Sequence, residues 1–101
     1  MDEALQTVDV VVRGRVQGVG FRWFAQREAT LLGLTGWVAN EPDGSVRSVA
    51  TGPRARLEVF VERLREGPPS GRVDGIDADW RPASEAGSTG FMVRSGAHRG
   101  D

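Results

Sequence analysis

From Thr7 to Arg13 the chain alternates, with Val8, Val10 and Val12 on one side and Asp9, Val11 and Arg13 on the other. Period two with β-branched residues predicts a strand whose core face is the valine triplet. A glycine-rich stretch, Gly14 to Phe21, interrupts the alternation. The period then changes. Ala25, Ala29 and Leu32 fall at i, i+4 and i+7, with Phe24 and Leu31 beside them, and predict a helix over 22–32 that Gly33 ends. Trp23 fits either side of it. Gln26, Arg27 and Glu28 read as its solvated side. Thr35–Asn40, with Trp37, and Ser45–Ala50 flank Glu41-Pro42-Asp43-Gly44, and together predict an antiparallel hairpin.

Thr51-Gly52-Pro53 starts a second helix, with proline at the first helical position. Its stripe, Leu57, Phe60, Val61 and Leu64, is the clearest helical signal in the chain, and Gly67-Pro68-Pro69 stops it. Arg72–Trp80 predicts a strand with Ile76, Ala78 and Trp80 on one face; Val73 is out of phase, so a bulge is expected near Gly75. A polar connection, 81–89, leads to a last short strand at Gly90–Arg94 carrying Phe91 and Val93. The order β-α-β-β-α-β with an added terminal strand predicts an α+β, ferredoxin-like sandwich, an antiparallel sheet with two helices on one face. Residues 1–6 read as a frayed leader and 96–101 as a flexible tail.

Composition narrows the classes of function. A length of 101 residues suits one domain, and 39% hydrophobic with 27% charged residues suits a folded one. The net charge of −1 argues against a nucleic-acid binder with a basic surface. There is no cysteine, which removes disulfides, thiol catalysis and thiolate metal sites. Asp74, Asp77 and Asp79 lack the glycine and terminal glutamate of a calcium loop and read as an exposed acidic face. His98, the single histidine, falls in the tail, where a rigid site cannot form. No membrane-spanning run or signal peptide is visible, so a cytoplasmic protein is expected.

The candidate chemistry lies in Gly14-Arg15-Val16-Gln17-Gly18-Val19-Gly20-Phe21-Arg22. Glycines between a strand and a helix let successive N–H groups turn inward and form a concave anion site, and the uncapped N–H groups of the next helix point the same way. Arg22, in the first turn, can hold two phosphate oxygens with its planar fork. The string is not a Walker A loop, since no Gly-Lys-Ser/Thr closes it. It is not a dinucleotide fingerprint either, since Trp23 stands where the third glycine belongs.

This string, together with Gly36-Trp37-Val38-Ala39-Asn40 and the following Asp43-Gly44, closely resembles the signature of the acylphosphatase family, and the resemblance runs over residues 7–95. It implies hydrolysis of acyl phosphates to a carboxylate and inorganic phosphate, on a ferredoxin-like fold. By that resemblance Arg22 neutralises the phosphoryl group, Asn40 orients the attacking water, and the N–H groups of Gln17, Gly18, Val19 and Gly20 cradle the phosphoryl oxygens. The substrate's own phosphate takes the water's proton. Neither cofactor nor metal is expected. The partners are the small acyl phosphate and inorganic phosphate, as product and inhibitor, on a monomer without nucleic acid or membrane. Many members carry a basic residue where this chain has Ala39, and Glu41 adds a negative charge just after Asn40. These departures bear on turnover and substrate preference. The alternative is an acyl- or carbamoyl-phosphate-binding module with little turnover, like the domain that begins hydrogenase-maturation carbamoyltransferases. An RNA-binding sheet is disfavoured, because the basic and paired-aromatic pattern is absent.

Overall fold

The valine alternation does build the first strand, and it runs further than the pattern suggests. In the computed structural model, which describes residues 4–83 and 89–95, β1 spans Leu5–Arg15. Its extra residues are paired: Leu5 lies opposite Pro53, and Arg15 opposite Arg72. The remaining elements are α1 (Phe21–Leu31), β2 (Thr35–Asn40), β3 (Val46–Pro53), α2 (Arg54–Glu66), β4 (Arg72–Pro82) and β5 (Phe91–Arg94). β3 continues to Pro53, three residues past the sequence-based expectation, and Pro53 caps α2 in an extended conformation instead of opening it as a helical residue. His98 and the tail, 96–101, lie outside the described residues, as do 1–3 and 84–88 of the polar connection.

The five strands are ordered β4-β1-β3-β2-β5. The first four pair antiparallel, as expected, whereas β5 runs parallel to β2, so the sheet is mixed. The register explains the two faces. Val38, Ser48, Val10 and Ala78 form one row across the sheet, and Gly36, Ala50, Val8 and Trp80 the next. These rows face α1 and α2, whose Phe21, Ala25, Ala29, Leu57, Phe60 and Leu64 are fully or nearly fully buried against them. The alternate rows, with Trp37, Val49 and Asp9, lie on the side away from the helices. The expected bulge is present: Arg13 pairs with Gly75 but Gly14 pairs with Val73, leaving Asp74 as the extra residue. Gly14 is required there. It sits at φ +136°, and a Cβ on it would lie 2.2 Å from the Arg72 carbonyl oxygen.

Two expectations for α1 fail. Leu31 is exposed rather than part of the apolar side. Glu28 is buried rather than solvated, and its carboxylate takes a hydrogen bond from the Arg63 guanidinium of α2. The apolar arc of α1 is therefore rotated toward β2 and β5, and the cross-helix ion pair fills the seam between the helices. Gln26 also faces inward enough to donate from Nε2 to the Phe91 carbonyl at 3.0 Å, while Arg27 is exposed. Trp23, left open by the periodicity, is 64% exposed.

The three aspartates of β4 each meet an arginine. Asp74 takes a hydrogen bond from Arg72, Asp77 from Arg13 and Asp79 from Arg81. They form a solvent-facing ionic layer, as the acidic pattern suggested.

Candidate active site

The chain from β1 into α1 places the glycines where the backbone must reverse. Gly18 and Gly20 take φ +76° and +79°, a left-handed conformation costly for any residue with a Cβ. Gly14 and Arg15 belong to β1 rather than to the loop, so the turning segment is shorter than the sequence suggested, 16–20. Gly20 is the N-cap of α1, and the first helical bond is Phe24 N–H to the Gly20 carbonyl at 3.0 Å. Among the described residues no side chain caps this end, and no acidic residue occupies the first turn. An anion placed at this end would meet the positive end of the helix dipole.

A concavity of about 150 Å³ opens at this end, lined by Val16, Gly18, Gly20, Phe21, Arg22, Trp23 and Asn40. It brings together the two residues singled out from distant parts of the sequence. Arg22 comes from the first turn of α1 and Asn40 from the last residue of β2. Of the four loop residues, Gly18 and Gly20 form its wall. The side chains of Gln17 and Val19 are used elsewhere. Val19 packs partly against the core. Gln17 donates from Nε2 to the Glu41 carbonyl at 2.8 Å and to the Ser45 carbonyl at 2.9 Å. Sequence reasoning considered only the backbone of Gln17; its amide in fact ties the loop to the hairpin that carries Asn40.

The hairpin turn is independently fixed. Asp43 accepts the Ser45 N–H at 2.9 Å and the Ser45 hydroxyl at 2.6 Å, which holds its carboxyl below the usual carboxylate range. Glu41 and Ser45 close the turn through their backbone at 2.9 Å. Asn40 is buried, whereas Arg22 is half-buried. Arg22 Nη1 donates to the Arg94 carbonyl of β5 at 2.8 Å. That contact was missed in the sequence because β5 pairs with β2, bringing residues 72 positions apart to the same edge.

The two departures around Asn40 face away from the concavity. Ala39 lies on the opposite face of β2 from Asn40, beside Arg47 and Arg94 in register. Both arginines stack on Trp37, with guanidinium carbons 5.5 and 4.4 Å from the ring centre. Glu41 contributes its carbonyl to Gln17 and its charge to Arg47, and it does not line the concavity.

Comparison with known proteins is consistent with this geometry. The acylphosphatase family profile matches residues 8–93. An acylphosphatase of Salinibacter ruber is 52% identical over 87 residues, covering 86% of this chain and 90% of the relative. The solved acylphosphatase of Bacillus subtilis superposes with a TM-score of 0.84 at 39% identity, over 88% of this chain and 98% of that one. Full-length HypF, in a phosphate- and nucleotide-bound form, superposes with the same TM-score at 27% identity, over 95% of this chain but 12% of its own. With its profile match running from Val8 to Val93 and 52% of 87 aligned residues identical to a relative covered to 90%, the chain belongs to the acylphosphatase family.

Proposed function

We propose that the protein hydrolyses acyl phosphates to a carboxylate and inorganic phosphate, with Arg22 and Asn40 as its catalytic residues. The observation that carries this reading is the meeting of Arg22, Asn40 and an uncapped helix N-terminus around one concavity of about 150 Å³. At about 30 Å³ per water in the liquid, that is roughly five waters, room for a phosphoryl group and a nucleophile.

The chemistry follows from these groups. The N–H groups of Gln17, Gly18, Val19 and Gly20, with those of the first turn of α1, bind the equatorial phosphoryl oxygens. The Arg22 fork, anchored at one end by the Arg94 carbonyl, neutralises their charge. The Asn40 amide orients a water in line with the bond to the acyl oxygen. An amide is no base, so the water's proton passes to the phosphoryl group as the carboxylate leaves. A carboxylate is a good leaving group, and positioning with charge stabilisation suffices. No metal or cofactor enters these steps. Inorganic phosphate, the product, occupies the same cradle and inhibits competitively. We place this activity on a single chain in the cytoplasm.

The test is hydrolysis of benzoyl phosphate by the purified protein with a chelator present, beside Asn40→Ala shown folded by circular dichroism. Turnover in the natural protein that is lost in the variant supports the reading. Phosphate binding without turnover in either protein refutes it and favours a carbamoyl- or acyl-phosphate-binding module; HypF, on which the chain superposes, was solved with phosphate bound.

A further inference from the structure

At about 150 Å³ the concavity is sized for a phosphoryl group and a water, so a bulky acyl group extends beyond it. A second groove, of about 360 Å³, shares two of its lining residues, Gly20 and Trp23, and continues past them to Phe24, Arg27, Pro68 and Pro69. Two features give this groove the chemistry of an acyl-binding subsite. Trp23 and Arg27 stand at i and i+4 on α1, so they line one wall in sequence, the indole nearest the phosphoryl cradle and the guanidinium one turn beyond. Pro68 and Pro69, after α2, supply a rigid apolar opposite wall. The indole is 64% exposed, an unusual cost for a tryptophan in a chain of this size, and its burial under a ligand recovers that surface. Arg27 is also exposed; among the described residues it pairs with Glu28 at 3.8 Å, and that carboxylate is already engaged by Arg63.

The direction is right as well. In an in-line displacement the leaving group departs on the side opposite the attacking water, and Asn40 borders the phosphoryl concavity but not this groove. The concavity by the hairpin turn, lined by Arg13, Gly14, Asp43, Gly44 and Ser45, shares no residue with the phosphoryl site and carries the Asp43 carboxylate.

Resting on the hydrolase reading above, we infer that the groove between Trp23, Arg27 and Pro68-Pro69 holds the acyl group, with Trp23 packing on its body and Arg27 selecting acyl groups that end in a second anion. Trp23 and Arg27 are specificity-determining residues rather than catalytic ones. The experiment compares benzoyl phosphate, acetyl phosphate and succinyl phosphate on the natural protein, Trp23→Ala, Arg27→Ala and Arg27→Glu, with inhibition by inorganic phosphate measured on each. Both side chains are exposed, so the variants keep the fold. Trp23→Ala should raise KM for benzoyl phosphate about tenfold. Arg27→Ala should lower kcat/KM for succinyl phosphate about fivefold, and Arg27→Glu more, with acetyl phosphate little changed. Inhibition by phosphate should shift little in Arg27→Ala, and in Trp23→Ala, whose indole also borders the phosphoryl concavity, it should change much less than the KM for benzoyl phosphate. If the natural protein hydrolyses all three substrates and their relative KM values are unmoved by the variants, the groove is not the acyl subsite. If the natural protein hydrolyses none of them, the hydrolase reading itself fails.

Discussion

At the scale of single residues the proposed mechanism divides charge from orientation. Arg22 is a cation in the first turn of a helix, where the dipole disfavours it, and that first turn itself carries no acidic residue. The arrangement becomes favourable once a phosphoryl group lies between them. Arg22→Ala should therefore weaken both phosphate inhibition and turnover. Arg22→Lys should fail too, since an ammonium cannot hold two oxygens in one plane while also donating to the Arg94 carbonyl. Asn40→Ala should behave differently. Phosphate inhibition should be retained while kcat falls about 10²-fold or more, the scale for loss of one transition-state contact. Steady-state kinetics with phosphate as inhibitor checks both. Equal loss of phosphate binding in Asn40→Ala would contradict this division of roles.

At the scale of elements the loop and the hairpin act as one piece, and Gln17 is the link. The two carbonyls it reaches already accept backbone N–H groups, Glu41 from Gly44 and Ser45 from Glu41, so removing the amide strands no buried acceptor. Gln17→Leu should cost only about 1–2 kcal/mol in thermal or denaturant unfolding. Its kcat should fall about tenfold or more, because loop and Asn40 lose their fixed separation. The pairing between helices predicts an asymmetry of its own. Arg63 is about half exposed and Glu28 is buried, so Arg63→Ala leaves a buried carboxylate with only the 3.8 Å contact to Arg27, whereas Glu28→Gln leaves an arginine that water can reach. Arg63→Ala should destabilise by about 2–4 kcal/mol and Glu28→Gln by less, measured as ΔG of unfolding in urea. These elements also show what the sequence could tell. The valine triplet, the Leu57–Leu64 stripe and the bulge at Gly75 are local signals, and each stands where periodicity put it. Arg22 and Asn40 were legible through their short motifs, and they meet at one concavity. Glu28 and the anchors of Gln17 and Arg22 were not legible, since each depends on a partner 24 to 72 positions away that no local period encodes. The parallel β5 was hidden for the same reason: four residues specify a strand but not the neighbour beside which it lies.

At the scale of the whole molecule, one sheet face is covered by helices and the other is held by ions. Asp9 is the centre of that open face. It is buried, and it accepts from Arg47 of β3 through both carboxylate oxygens and from Arg81 of β4 at 3.1 Å, bridging three neighbouring strands. The Arg47 hydrogen bonds, then the charges of Arg47 and Arg81, hold its carboxyl below the usual value against the opposing effect of burial. The sign of the linkage follows. A carboxyl with a depressed folded-state pKa stabilises the fold fully above its unfolded value, about 3.9, and that contribution is lost as pH falls through the folded value. Asp9→Asn should cost about 1–3 kcal/mol at pH 7. For a domain of this size that is roughly 4–8 °C in Tm for each kcal/mol. The difference between the natural protein and the variant should be level from about pH 5 to 8 and should shrink below about pH 4. Asp43, which also titrates low, is present in both proteins and cancels in the subtraction. Arginine stays protonated over this whole range, and Asp79, which also pairs with Arg81, is kept in both proteins. Thermal unfolding of the two proteins between pH 2 and 8 measures the difference directly. A gap that stays constant down to pH 2 would mean that Asp9 holds the three strands by shape and hydrogen bonding alone, with no stabilisation drawn from its charge.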